Sequence, residues 1–168
     1  TVTPVANRIG SVVITLTISD GELTADETFL VTVTGDAQES WRFTHFNSTA
    51  NSGVGADEFD VNFDGESNLL EFATGQNPHA ATRAVKPLEM GGANLVFRYT
   101  RSTAALADGV TFTAQWSDTL APNSWSILGV TDVLDTANPG TPEVENRIAT
   151  LPTGTDGKRF VRLGVSRP

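Results

Sequence analysis

Two segments near the N-terminal end of the sequence alternate between apolar and polar residues, a period of two that predicts half-buried β-strands. They cover residues 12–18 and 28–34. Their apolar positions are Val12, Ile14, Leu16, Ile18, Phe29, Val31 and Val33. Asp20 and Gly21 between them form a turn pair. The pattern predicts a β-hairpin with one buried face, and it calls for further strands because an isolated hairpin is only marginally stable in water.

The pattern changes over residues 36–80, where it predicts two short helices. The first lies in "DAQESWRFTHF", which opens with the capping box formed by Asp36 and Glu39. The second lies in "NLLEFAT" and is expected to end at Gly75, with Pro78 shortly after it. Between the two helices runs an acidic loop, which carries the most distinctive residues of the chain.

Residues 92–168 return to a period of two. The segments expected to form strands are "NLVFRYT", "VTFTAQW", "SWSILGV", "VENRIATL" and "RFVRLGV". The stretches between them are rich in Pro, Gly, Asn and Asp, as turns require. Five or more short strands separated by turns predict an antiparallel β-sandwich, so we expect a mainly β fold with a short two-helix segment in the middle.

Charge and composition limit the classes of partner that the protein is expected to bind. The chain has 168 residues, no cysteine and a net charge of −9. Residues 1–80 hold 12 acidic residues and two arginines, whereas residues 81–168 hold eight acidic and nine basic residues. The acidic half argues against nucleic acid or an anionic membrane as a partner and suits a hard cation. No apolar run reaches the roughly 20 residues of a membrane span, so none is expected.

The acidic loop matches the pattern D-x-[DN]-x-[DN]-G-x5-E of a twelve-residue calcium loop. Alternate side chains of a curled loop point inward, and the glycine at position 6, Gly65, permits the sharp turn. Position 7 offers a backbone carbonyl, and position 12 closes the far side from the following helix. The predicted calcium ligands are Asp60, Asn62, Asp64, the carbonyl of Glu66, Asn68 and Glu71.

Other interpretations of the residues stay open. The acidic cluster could be a solvated turn that caps a helix. Trp125 beside "APNS" could belong to an exposed aromatic platform for a carbohydrate, while Trp116 fits the core stripe of its strand. His45 and His79 are the two histidines, and no G-x-S-x-G motif accompanies them. We therefore expect no enzymatic activity.

The stretch "DVNFDGESNLLEFATGQNP" resembles the single calcium loop of dockerin-like and thrombospondin type 3-like segments. Residues 1–35 resemble the last strands of an Ig-like or cadherin-like repeat of bacterial surface proteins. The longer stretch from "SWRFTHF" to "GQNP" is similar to a linker that precedes a C-terminal β-domain in large secreted bacterial proteins. In such proteins this domain often ends in "RFxRLxV", and the strand here is "RFVRLGV".

The resemblance implies three units: an incomplete Ig-like domain (1–35), a helical segment with an EF-hand-like calcium loop (36–80), and a C-terminal β-sandwich (81–168). It implies an extracellular, calcium-stabilised structural or adhesion module of a bacterial protein. The hairpin's missing strands would come from neighbouring domains of a longer parent chain, or from a neighbouring subunit by strand addition, as in a fibre. The alternatives are a carbohydrate- or partner-binding sandwich and a C-terminal sorting or attachment domain.

Overall fold

The computed structural model describes residues 2–154 and 158–167. Within these ranges the chain is mainly antiparallel β-structure with three short α-helices. The strands are β1 (Gly10–Ser19), β2 (Thr24–Val33), β3 (Glu89–Gly91), β4 (Asn94–Ser102), β5 (Thr111–Ser117), β6 (Thr131–Leu134), β7 (Val144–Pro152) and β8 (Phe160–Ser166). The helices are α1 (Ala37–Phe46), α2 (Asn68–Thr74) and α3 (Thr103–Ala107), and a 3-10 turn covers Gly53–Gly55. Among the described helices, none has the length and apolarity that crossing a bilayer requires.

The predicted hairpin is confirmed, but the prediction of a buried face is wrong. Strands β1 and β2 pair in antiparallel register across a four-residue loop, in which Oδ1 of Asp20 accepts from the backbone N–H of Leu23 at 2.8 Å. Val12, Leu16 and Ile18 lie on one face, and they are 53%, 53% and 65% exposed. The physical reason is that β1 and β2 form a two-stranded sheet of their own, and neither core cluster of the described residues includes a side chain from them.

The sandwich-like arrangement lies in the second half of the chain. One sheet has the order β3-β4-β7-β6, and β5 pairs with β8 in a second sheet. The core between them contains Phe97, Tyr99 and Leu151 from the first sheet and Ala114 from the second. Trp116 packs at the edge of this core, as the period of β5 predicts. The predicted mainly β, antiparallel fold is therefore confirmed at this level.

The structure differs from the expectation at two places, a strand that does not form and a helix that was not predicted. "SWSILGV" is not a strand, because only Ser126 bridges to Trp116 and the chain then turns, leaving Leu128 77% exposed. The strand here is β6, which follows that turn. Helix α3 was not predicted at all. Its sequence signal is Ser102, whose hydroxyl accepts from the N–H of Ala105 as an N-cap.

The helices pack on one end of the sandwich and share a core with it. Phe72 and Ala73 of α2 are buried together with Ala105 of α3 and Val110, which precedes β5. The capping box of α1 is present as predicted. A second carboxylate, Asp108, adds to this cap from the end of α3: its Oδ2 accepts from the N–H of Gln38 at 2.7 Å. One apolar cluster therefore spans the predicted boundary between residues 80 and 81.

We expect Phe72→Ala to lower the free energy of unfolding by about 3–5 kcal/mol, because it leaves a cavity in the core that joins the helices to the sandwich. Urea denaturation monitored by tryptophan fluorescence measures this change. The matched control is Phe63→Ala, whose side chain is 86% exposed. Its effect should stay within about 0.5 kcal/mol. Equal losses in the two variants would contradict the shared core.

Candidate metal centre

The acidic loop, residues 60–71, is closed by hydrogen bonds between its own side chains and backbone. Oδ2 of Asp60 accepts from the N–H of Gly65 at 2.9 Å, and Gly65 has φ of 93°, a conformation that glycine adopts without strain. Oδ1 of Asn62 accepts from the N–H of Asp64, and Oδ1 of Asp64 accepts from that of Glu66, both at 2.9 Å. These bonds curl the chain so that alternate side chains turn toward the inside of the loop.

The loop contains most of the buried side-chain atoms without a hydrogen-bond partner that occur in residues 2–154 and 158–167. In the described part of the chain five such atoms occur, and four of them belong to residues at positions 1, 5, 9 and 12 of this loop. All four are acceptor oxygens: Asp60 Oδ1, Asp64 Oδ2, Asn68 Oδ1 and Glu71 Oε2. A buried acceptor without a donor is costly, and a charged one more so. A cation bound among them would remove this cost.

Glu71 is the most strongly perturbed carboxylate of the loop. Its side chain is 0% exposed, and its Oε1 accepts from Nδ2 of Asn62 at 3.1 Å. Burial raises the pKa of Glu71 to about 7, and the neighbouring negative charges of Asp64 and Asp60 add to the effect. One of its two oxygens is therefore engaged by an amide. The other, Oε2, is unpartnered.

The remaining predicted ligands are divided between the inside and the outside of the loop. Oε2 of Glu66 faces outward, accepting from the N–H of Ala84, so the contribution of Glu66 to an ion would be its backbone carbonyl. Nδ2 of Asn68 donates to the carbonyls of Val54 and Ala56, both at 2.8 Å, which anchors α2 to the preceding turn. Across residues 2–154 and 158–167, no three His, Asp or Glu side chains stand together as a ready-made metal cluster. The oxygen set here is mixed, with carboxylates, amides and a carbonyl.

The two arginines nearest to the loop in sequence, Arg42 and Arg83, bond to groups other than its carboxylates. Arg42 is buried in α1 and pairs with Asp57, which also accepts from Nε2 of Gln38 at 2.7 Å. Asp57 lies upstream of the loop and is thereby committed to Arg42. Arg83 reaches the loop from outside, where its Nη2 donates to the backbone carbonyl of Asp64 at 2.8 Å. Neither guanidinium forms an ion pair with Asp60, Asp64 or Glu71 among the described contacts.

The two tryptophans of the sandwich region each have a guanidinium group over the ring. The guanidinium of Arg159 lies 3.6 Å from the ring centroid of Trp116, and that of Arg162 lies 4.1 Å from the centroid of Trp125. Such cation–π contacts occupy a ring face that a sugar would need for stacking.

His45 and His79 belong to an aromatic cluster with Phe46, in which His79 bonds to the carbonyl of His45.

Comparisons with models of protein families, with curated proteins and with solved structures found no match. The resemblance of the loop to known calcium loops stays a prediction.

The raised pKa of Glu71 predicts a pH dependence of stability in metal-stripped buffer. The ordinary pKa is 4.5 and that of the folded protein is about 7, so between these values the folded state binds more protons than the unfolded state. The stabilising protonation is complete below about pH 4.5 and is lost as the pH rises through about 7. We expect the free energy of unfolding to fall over this window.

Urea denaturation of wild type and Glu71→Gln at pH 5 and pH 8 checks this expectation. Because glutamine is neutral at both pH values, the variant should lose less stability between them than wild type. Glu22→Gln, at an exposed position of the hairpin loop, is the matched control and should follow wild type. An equal pH response of wild type and Glu71→Gln would contradict the assignment to Glu71.

Proposed function

We propose that this protein is a non-catalytic, calcium-stabilised structural module. The ion would bind in the loop of residues 60–71 and tie it to α2, which shares a core with the sandwich. The observation that carries the proposal is the set of four buried acceptor oxygens without partners at positions 1, 5, 9 and 12 of the loop. Four acceptors and no donor favour a cation over a neutral ligand or an anion.

The chemistry of the donor set favours calcium. Ca²⁺ takes six to eight oxygens in flexible geometry, whereas Mg²⁺ demands a near-ideal octahedron and retains water. Asp60, Asp64 and Glu71 each supply a free carboxylate oxygen. Asn62 retains a second lone pair on the Oδ1 that accepts from Asp64, and Glu66 offers its carbonyl. Asn68 can act through a bridging water, as residues at position 9 often do.

The hairpin supports a structural role that involves a neighbour. Its apolar face, which includes Leu16 and Phe29, is exposed, and both of its strands have an unpaired edge within the described ranges. Such a surface suits a neighbouring domain of a longer chain, or a neighbouring subunit that adds strands. The proposal includes an extracellular location at a bacterial surface, where calcium modules bind at about 10⁻⁴–10⁻³ M.

Calcium is expected to raise the melting temperature. At ten times the Kd, binding to the folded state alone adds RT ln(11), about 1.4 kcal/mol. For a chain of this size that corresponds to a rise of roughly 3–6 °C. Thermal denaturation in EGTA and then in excess millimolar CaCl₂ measures the shift. The double variant Asp60→Ala with Glu71→Ala should lose it.

The matched control removes two carboxylates from the hairpin instead, by Asp26→Ala with Glu27→Ala. It changes the net charge by the same amount and should retain the calcium response. If wild type shows no shift, or if both double variants lose it equally, the loop is a solvated acidic turn and the proposal is wrong. A shift produced equally by MgCl₂ would contradict the choice of calcium.

A further inference from the structure

The segment Gln76–Ala84, called the connector below, carries the chain from α2 to the sandwich. Its first residue follows the C-cap Gly75, and the N–H of Gln76 donates to the carbonyl of Glu71 at 2.8 Å. Its last residue, Ala84, is buried, and the next residue, Val85, packs against the sandwich core. The connector therefore begins at the helix that holds the last loop carboxylate and ends at the core of the sandwich.

Three loop residues hold the connector, and Asn62 does so with the same amide nitrogen that donates to Oε1 of Glu71. Oε2 of Glu66 accepts from Nε2 of Gln76 and from the N–H of Ala84, the latter at 3.3 Å. Nδ2 of Asn62 donates to the carbonyl of Ala80 at 3.0 Å. The carbonyl of Asp64 accepts from Arg83, also a connector residue, at 2.8 Å. Loop positions 3, 5 and 7 thus all bond to the connector.

Each of these three residues has a second polar group for the ion. Asn62 has its Oδ1, Asp64 its carboxylate and Glu66 its backbone carbonyl, while another polar group of the same residue bonds to the connector. Because the two groups belong to one residue and both are held, placing the ligands and docking the connector favour the same local conformation. Glu66 is the strongest link, because its buried carboxylate bonds to both the first and the last residue of the connector.

Gln76 is held in place by further bonds. Its Oε1 accepts from Oγ1 of Thr82 at 3.0 Å, and its Nε2 also lies 3.3 Å from Oγ1 of Thr74. The amide that donates to Glu66 is thus oriented by both α2 and the connector. A residue oriented in this way can hold a metal ligand in position without contacting the ion itself.

We infer that Glu66 and Gln76 are positioning residues that couple calcium binding in the loop to docking of the connector on the sandwich. The inference rests on the proposed calcium site and deepens it. By linkage, the coupling is reciprocal: calcium tightens the connector, and the docked connector raises calcium affinity by the same factor.

The test compares Glu66→Ala with Glu66→Gln. Both variants remove the same charge and keep the backbone carbonyl, but only glutamine retains a side-chain oxygen that can accept from Gln76 and Ala84. Isothermal titration with CaCl₂ should give a Kd roughly 10-fold weaker for Glu66→Ala than for Glu66→Gln, the size of effect found when residues behind metal ligands are removed. Circular dichroism in chelator establishes that both variants fold.

The change in hydrogen–deuterium exchange that calcium produces supplies the readout that a loss of packing alone would not change. In wild type and Glu66→Gln, saturating calcium should slow exchange of the peptide that covers the connector. In Glu66→Ala, calcium at saturation for that variant should slow it less. Gln76→Leu removes the amide that donates to Glu66, so it should behave as Glu66→Ala does. It provides the same test if Glu66→Ala fails to fold. The matched control is Gln115→Leu on β5. The amide of Gln115 bonds to Arg162, and its removal should leave calcium affinity unchanged.

The outcomes separate the coupling from the calcium site itself. Equal Kd values and equal protection in the two Glu66 variants would overturn the coupling while the calcium site stands. Calcium binding by wild type without any change in connector exchange would overturn it as well. If wild type binds no calcium by titration, the proposed function fails, and the coupling that rests on it fails with it.

Discussion

The structure depends on one electrostatic constraint, which is the burial of carboxylate oxygens in the loop of residues 60–71 without enough donors to bond them. Burial beside like charges raises the pKa of Glu71 to about 7. An isolated loop would relieve this strain by opening to water. Here the loop is less free to open, because α2 carries Glu71 at one end and packs Phe72 into the core shared with the sandwich. A cation is the simplest way to reconcile the packing with the charge.

The rest of the helical segment treats its own charges differently. Asp57 is neutralised within the chain by Arg42, and Gln38 and Asn51 complete its hydrogen bonds. Asp108 and Asp36 lie at the N-terminus of α1, where backbone N–H groups stabilise negative charge. These three partly buried acids therefore have partners that belong to the protein. The contrast makes the unpartnered loop oxygens informative, since the fold pairs partly buried carboxylates with its own donors elsewhere.

The two β-regions pose opposite packing problems. The sandwich buries Tyr99 and Leu151 between its own sheets and needs no neighbour for its core. The hairpin has the same alternating pattern, yet Leu16, Ile18 and Phe29 face solvent. Ten-residue strands with an apolar face and two open edges are prone to pair with other strands. A neighbouring domain or subunit could cover this face, and an ion could rigidify the helical segment that follows the hairpin. The molecule would then connect two larger units.

Local features of the protein could be predicted from the sequence because they depend on residues close together in the chain. The capping box of Asp36 and Glu39, the end of α2 at Gly75 and the hairpin turn at Asp20 are of this kind. Contacts between distant residues could not be predicted in the same way. Only the tertiary structure brought Arg42 to Asp57, Asp108 to the start of α1 and Glu66 to Ala84. The alternation of β1 and β2 likewise established an apolar face but not what covers it, because periodicity records which residues share a side, while burial depends on what the folded chain places against that side.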